Sequence, residues 1–341
     1  MILGDLNLVA FRGMTNVHLR DLAPVNLVVG ANNVGKSSVL EAAALLLRPL
    51  DPAQWVQVAR HRDFDMSLVD GLWSLFPSGA PLQVDDGPKQ TAPFRVAGVV
   101  HDTHRDLSAS GLASQTWDAE ESGDLTLRVD AKVDNKPRHT MEFRREVPAQ
   151  FGKDVPFYRC FTVTPATHRS TRILVEHLSK AVDEGDKPLA LELLRLFDHD
   201  VSGLDVSATR GRDGIRITHT TRGVVDLASF GDGMRRAAAL ALALVRSRGG
   251  LLLVDELEAA IHPTILPEVL TRLFAAAATA DVQILATTHS LEAIDALTEA
   301  LRDTPDRAAA YYLQRDSQGH TVRRYDQDGI VSLREVGLDL R

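Results

Sequence analysis

Leu6 and Leu8 flank the polar Asn7, and Val17 and Leu19 flank His18 beyond a glycine. That period of two predicts a hairpin over 6–19, turning at Gly13 to Asn16. The apolar run Val25–Val29 follows as a strand, and Ser38–Arg48 reads as a helix rich in Ala and Leu, closed by Pro49.

From Asp51 to about Val224 the rhythm breaks. Pro52, Pro77, Gly79, Pro81, Gly87, Pro88 and Pro93 punctuate short stretches. Alternating strands are predicted at Phe94–Val100, Leu125–Val133 and Arg138–Val147. A helix pair, Thr171–Val182 and Pro188–Asp198, flanks Gly185-Asp186, and a further hairpin pairs Gly203–Ala208 with Gly214–Thr221. From Gly231 longer periods return: helix Met234–Arg248, strand Leu251–Val254, helix Pro263–Ala278, strand Val282–Ala286, helix Leu291–Arg302 and a last hairpin, Ala309–Tyr325. Strands alternating with helices of this length imply an α/β fold with a mostly parallel core sheet. The expected organisation is a head split in sequence, 1–50 and 225–341, with 51–224 inserted as a β-meander and helical lobe. No internal repeat or extended heptad run is visible.

Composition adds limits. The chain has 341 residues, 44% hydrophobic and 25% charged, which is ordinary for a globular protein. No segment has the roughly 18 consecutive apolar residues of a membrane span, and no basic region precedes an apolar one at the N-terminus. A cytoplasmic protein with no membrane partner is expected. The single cysteine, Cys160, lies among Phe157, Tyr158 and Phe161 and reads as a buried thiol. A net charge of −8 argues against a nucleic-acid coat.

The candidate chemistry starts at Gly30-Ala31-Asn32-Asn33-Val34-Gly35-Lys36-Ser37, a G-x-x-x-x-G-K-S loop between a strand and a helix. Glycines let successive N–H groups point inward at phosphate oxygens, and the helix adds its positive end. Lys36 reaches the β- and γ-phosphates, and the Ser37 hydroxyl is a Mg²⁺ ligand. The strand Leu251–Val254 ends in Asp255-Glu256; at the same sheet edge Asp255 can hold Mg²⁺ through a water and Glu256 can polarise the attacking water. Ser229-Phe230-Gly231-Asp232-Gly233 precedes a long helix, and Thr287-Thr288-His289-Ser290 follows a strand, which places His289 beside Asp255.

These elements, in this order, resemble the ABC-type ATPases, in the branch containing RecF, SMC and OLD-like proteins, also called the AAA_15 or AAA_21 group. The matches are Phe11-Arg12-Gly13, the phosphate loop through Ser38, the Ser229–Gly233 signature, Leu251–Pro263 and Thr287–Ser290; the middle of the chain matches loosely. The resemblance implies ATP and Mg²⁺ as cofactors. It implies ATP held between two heads: Gly30, Asn32, Asn33, Gly35, Lys36, Ser37, Ser38 and Asp255 from one, Ser229 and Gly231 from the other. Glu256 would be the catalytic base, His289 the switch histidine, and Ile261-His262-Pro263 the segment crossing a homodimer interface. A glutamine-bearing loop is less distinct, with Gln54 and Gln57 the nearest candidates, and Asp232 stands where transporters commonly carry glutamine.

OLD-like nucleases add a Toprim domain, for which the stretch after Ser290 is too short. Asp316, Asp326 and Asp328 read as solvated turn acids, and no His/Cys metal cluster is visible, so no intrinsic nuclease is expected. Short basic groups, Arg60-His61-Arg62, Arg138-His139, Arg144-Arg145, His168-Arg169 with Arg172, and Arg210 with Arg212, are each interrupted by acids and read by default as solvated faces. Three functions remain open on the sequence. The first is an ATP-driven switch acting on a separate nuclease or toxin effector, as in two-gene antiphage systems. The second is a RecF-like DNA-repair ATPase. The third, a transporter subunit, is weakened by the hairpin and the insertion.

Overall fold

The computed structural model describes residues 1–60, 66–77, 82, 87–117, 123–134, 136–144, 158–195, 197–209, 212–304 and 306–335. In chain order the first elements are β1 Leu3–Phe11, β2 Met14–Leu19, β3 Val25–Val29, α1 Lys36–Leu47, α2 Pro52–Ala59, α3 Leu68–Trp73, β4 Lys89–Gln90, β5 Phe94–Val100, β6 Thr103–Trp117, β7 Gly123–Val133 and β8 His139–Phe143. There follow β9 Cys160–Val163, α4 Thr171–Asp183, α5 Lys187–Arg195, β10 Val201–Thr209, β11 Arg212–His219 and β12 Gly223–Asp226. The last are α6 Asp232–Arg246, β13 Leu251–Val254, α7 Leu266–Thr279, β14 Gln283–Thr287, α8 Leu291–Ala300, β15 Ala308–Asp316, β16 Gly319–Asp326 and α9 Gln327–Glu335.

Three sheets result. The core sheet runs β16-β15-β3-β14-β13-β9, parallel except for the β15–β16 hairpin. Its buried strands alternate between two cores: Leu251 and Leu253 face one, Leu252 and Val254 the other. The antiparallel sheet runs β2-β1-β5-β6-β7-β8, with β4 paired to β6, and a small sheet runs β10-β11-β12. Helix α1 lies between the two large sheets, touching β1 and β5 on one side and β9, β13 and β14 on the other. A helix enclosed on all sides must be apolar all round, which explains why every residue from Ser38 to Leu47 is buried.

The hydrogen bonding crosses the expected boundary between head and insertion twice. Strand β1 pairs with β5, so the N-terminal hairpin is the edge of the antiparallel sheet built mostly by residues beyond 90. Strand β9 pairs in parallel with β13, so the middle of the chain supplies a core strand. Gln283 ties the two sheets together. Its Oε1 accepts from Ile2 N (3.2 Å) and Leu3 N (2.8 Å), and its Nε2 donates to Leu3 O (2.8 Å) and Ala23 O (3.0 Å).

Other differences are local. The first hairpin turns tightly at Arg12-Gly13, since Phe11 pairs with Met14 and Arg12 carries φ 53°; the expected turn at Gly13 to Asn16 becomes the start of β2. Two helices, α2 and α3, and the long strand β6 occupy stretches without a clear sequence signal. The strand expected over Arg138–Val147 is observed as β8, and Arg145 to Val147 lie outside the described residues, as do Gly79, Pro81 and Phe157. Cys160 is buried on β9, and burial pushes its thiol up to about 12. Among the described residues no helix is long and apolar enough to cross a membrane.

Candidate nucleotide site

The C-terminal ends of β3, β13 and β14 open into a cleft of about 690 Å³. Arg12, Asn32, Lys36, Ser37, Asp255, Glu256 and His289 are among its lining residues. Between β3 and α1 the backbone takes left-handed values at Gly30 (φ 144°), Asn33 (φ 63°) and Gly35 (φ 101°). A side chain at Gly30 would place Cβ 2.2 Å from the Leu313 carbonyl oxygen, and one at Gly35 would meet Met14 Sδ at 2.6 Å. Both glycines are therefore fixed by conformation and by space. Gly35 caps α1 without a side-chain acceptor, which leaves the first N–H groups of the helix for an anion.

Lys36 Nζ folds back to donate to the carbonyls of Gly30 (2.8 Å) and Ala31 (2.9 Å). Burial pulls its pKa down, opposed by Asp255, Glu256 and Glu258. The Ser37 hydroxyl lies 3.1 and 3.0 Å from the two carboxylate oxygens of Asp255, whose Oδ1 also accepts from Thr287 Oγ1 (2.6 Å). A hydroxyl and a carboxylate converging at the start of the helix form the oxygen-donor set that Mg²⁺ prefers, so these residues fit a Mg²⁺–nucleotide. When bound, the ion would be held by Ser37 and Asp255 and would offset phosphate charge.

Glu256 sits in a left-handed conformation (φ 50°), half-buried at the cleft. Its N–H donates to Thr287 Oγ1 (2.9 Å), while Asp255 N donates to Val163 O (2.9 Å). The guanidinium of Arg236, fully buried on α6, donates to Asp255 O (3.2 Å), Glu256 O (3.0 Å) and Thr164 O. Burial lowers the Arg236 pKa to about 10, and the three nearby acids oppose that shift. The Asp255-Glu256 turn is thus pinned from β9, β14 and α6 at once. His289, at the mouth, has Nδ1 3.4 Å from Glu258 Oε1, so its nearest carboxylate is Glu258.

The structure gathers Asn32, Asn33, Gly35, Lys36, Ser37, Ser38, Asp255, Glu256 and His289 around the cleft, with Gly30 at its base. Ser229 and Gly231 do not line it: both are exposed at the start of α6, and the Ser229 hydroxyl donates to Asp226 O (2.6 Å). Gln54 and Gln57 are on α2 outside the cleft, 3.4 Å from each other. The loop that leaves β9 beside Asp255, Thr164 to Arg169, contains no glutamine. Sequence reasoning missed Arg236, Glu258, Arg315 and His320. Arg236 had a signal: with Leu240 and Ala243 it occupies i, i+4 and i+7, the buried face of α6.

Outside the cleft, Asp198, Asp200 and His219 lie close enough to share an ion, a grouping not expected from the sequence. His219 Nδ1 accepts from Thr221 N (3.3 Å), so Nε2 carries the proton that Asp198 accepts at 3.2 Å. This is a part-buried hydrogen-bond chain holding the turn before β10 to the end of β11. Arg138 pairs with Asp130 (3.4 Å), Arg144 with Glu142 (2.6 Å) and Arg169 with Asp232 (3.2 Å), while His168 is buried. His61, Arg62, Arg145 and Arg210 lie outside the described residues.

Comparison with known proteins bears on the fold and on the family. The fold is similar to an SMC head bound to the C-winged helix domain of ScpA, with TM-score 0.53 and 11% identity over 97% of this chain and 100% of that one. An SMC head domain from Thermotoga maritima matches at TM-score 0.45 and 14% identity, over 96% of this chain and all of that one. An uncharacterized protein of Methanocaldococcus jannaschii is 32% identical over 113 residues, 33% of this chain and 99% of its own length. The family model described as "AAA domain, putative AbiEii toxin, Type IV TA system" matches residues 25–295, the whole span from the phosphate-loop strand past His289. The chain belongs to that family of P-loop ATPases, on an ABC-type α/β head.

Proposed function

We propose that the protein is an ATP-hydrolysing switch whose heads close as a homodimer around Mg²⁺–ATP and so control a separate effector, in antiphage defence. The observation that carries this reading is the incompleteness of the cleft. One wall holds the phosphate loop, Ser37, Asp255 and Glu256, whereas the signature residues Ser229 and Gly231 stand exposed elsewhere on the same chain. An exposed helix start with free N–H groups is suited to phosphate in a second copy's cleft. In that assembly Glu256 acts as the base towards water, with its backbone held by Thr287 and Arg236. The effector part of the reading draws on the family description, which names a toxin and a toxin–antitoxin system, and on a similar head that binds a partner's winged-helix domain. A RecF-like DNA clamp has less support, because Arg138, Arg144 and Arg169 are each paired with a carboxylate.

The test is the mass of the protein in solution with Mg²⁺–ATP. Glu256→Gln is expected to form a stable dimer and to hydrolyse at least about a hundredfold more slowly than wild type. Adding Ser229→Arg should return the double variant to monomer while leaving nucleotide binding intact. Normal hydrolysis by Glu256→Gln would remove the assigned base, and an ATP-bound monomer would remove the shared site.

A further inference from the structure

Two cleft residues have no part in the chemistry assigned above. Arg315 is next to last in β15 and His320 second in β16; they are cross-strand partners, so their side chains stand side by side. The hairpin that carries them is built against the phosphate loop. Leu313 O is the atom that excludes a side chain at Gly30, and His320 lines the cleft together with Val34 of the loop. Among the described residues no carboxylate makes an ion pair with Arg315. Its guanidinium lines the cleft, and among the described residues no acceptor takes a hydrogen bond from it.

Position decides which part of the ligand the pair meets. In the core sheet β15 flanks β3 on one side, while β13, which carries Asp255, lies two strands away on the other. Three strand spacings of about 4.8 Å put β15 about 14 Å across the sheet edge from β13. Ser37 and Asp255, 3.1 Å apart, would hold the metal and with it the terminal phosphates at the β13 side. The opposite wall therefore faces the other end of the nucleotide. That wall is the β15–β16 hairpin, and β16 packs beside β2, which closes the same side.

We propose that Arg315 and His320 grip the α-phosphate and ribose of the nucleotide, a hold independent of the γ-phosphate. Arg315 offers a guanidinium fork to the α-phosphate. A neutral His320 ring has one nitrogen free of a proton, which can accept from a ribose hydroxyl. Burial and the neighbouring Arg315 cation both favour the neutral ring that this needs. The assignment rests on the nucleotide-switch reading, and it concerns binding rather than bond cleavage.

The test is equilibrium binding of fluorescent ATP and ADP analogues, with AMP as competitor, to the full chain. Arg315→Ala is expected to weaken ATP, ADP and AMP by a common factor of about ten, and Arg315→Lys to recover part of it. His320→Phe should weaken ribonucleotides more than their 2′,3′-dideoxy counterparts. The melting temperature of the nucleotide-free variants should match wild type, which separates a contact from a buttress. ADP binding by Arg315→Ala within twofold of wild type overturns the proposal, as does a loss confined to ATP. The underlying reading fails differently: wild type, or Lys36→Ala equally with wild type, would show no specific nucleotide binding.

Discussion

Replacing Arg236 by Met keeps the length of the side chain and removes its charge and donors. The guanidinium is fully buried and serves the carbonyls of Thr164, Asp255 and Glu256. A hydrogen bond to a charged group contributes about 1.5–3 kcal/mol, and removing one partner from a buried charged network costs about 3–5 kcal/mol because what remains is unpaired. The lower part of that range applies to stability, since Met recovers some packing and Arg236 escapes its own desolvation; we expect a loss of about 3–4 kcal/mol. At ~2.1 cal/mol/K per residue the unfolding entropy of a chain this long is about 0.7 kcal/mol/K, so the melting temperature should fall by roughly 4–6 °C. The larger effect should be on turnover. Glu256 holds a left-handed conformation, and Arg236 is one of the few groups fixing the peptide on either side of it. Arg236→Met should therefore bind ATP with nearly unchanged affinity, because Lys36 and the loop amides are untouched, and lose at least about tenfold in kcat. Arg236→Lys, with charge but no fork, should fall between. The assays are a thermal melt without nucleotide and steady-state phosphate release. A melt within 2 °C of wild type together with unchanged kcat would show that the guanidinium neither stabilises nor positions the turn.

Two further outcomes follow from the same geometry. Gly30→Ala should abolish nucleotide binding and lower the melting temperature, because the φ of 144° and a Cβ 2.2 Å from Leu313 O leave no room without moving β15; wild-type affinity for a fluorescent ADP analogue would contradict this. His177 supplies a pH dependence: burial holds its folded-state pKa down to about 4, against an ordinary 6.5. The unfolded chain then binds a proton between pH 6.5 and 4 that the folded chain refuses, so stability should decline across that window by up to about 3 kcal/mol and level off below it. Urea unfolding of wild type and His177→Leu between pH 7 and 4 should show that part of the slope only in wild type.

What could be read in the sequence was whatever one segment specifies alone. The phosphate loop carries its own backbone conformation in Gly30 and Gly35, and strand Leu251–Val254 was found to the residue because four apolar positions end abruptly in two acids. Strand β6 was lost for the opposite reason. On its inward face Leu107 is followed by Ala109, Gly111 and Ala113, three small residues that give almost no hydrophobic contrast, and at Gly111 the space is taken by Phe76 and Leu127. Strand β9 was lost because four residues are too few to show a period, and its place is set by pairing with β13. Arg315 and His320 sit nearly three hundred residues from the phosphate loop, and only the β3–β15 register brings them to it.

The same contacts suggest how closure could be transmitted. The phosphate-loop side of the molecule is cross-braced. Gly35 packs on Met14, Arg12 Nε donates to Glu41 Oε2 at 2.7 Å, and Gln283 joins the start of β1, at Ile2 and Leu3, to the core sheet through three hydrogen bonds. Around Glu41, 2% exposed, that bracing includes a nearly dry ion pair, which resists separation because either charge left alone would be costly. These links make the antiparallel sheet and the loop a single rigid wall. The Ser229 side is joined to the Asp255-Glu256 turn differently, through α6 and Arg236, which bonds the carbonyls of Asp255 and Glu256. A force applied at Ser229 by a second copy therefore has its shortest stiff route to Glu256 along the first turns of α6, from Asp232 to Arg236. On that argument a partner that senses the nucleotide state should engage the α4–α6 and β10–β12 side, which α6 links to the site, rather than the braced hairpin. Hydrogen exchange with and without ATP distinguishes the two: protection changes concentrated in β1, β2 and β5 would contradict this route, and changes in β10–β12 and α4 would support it.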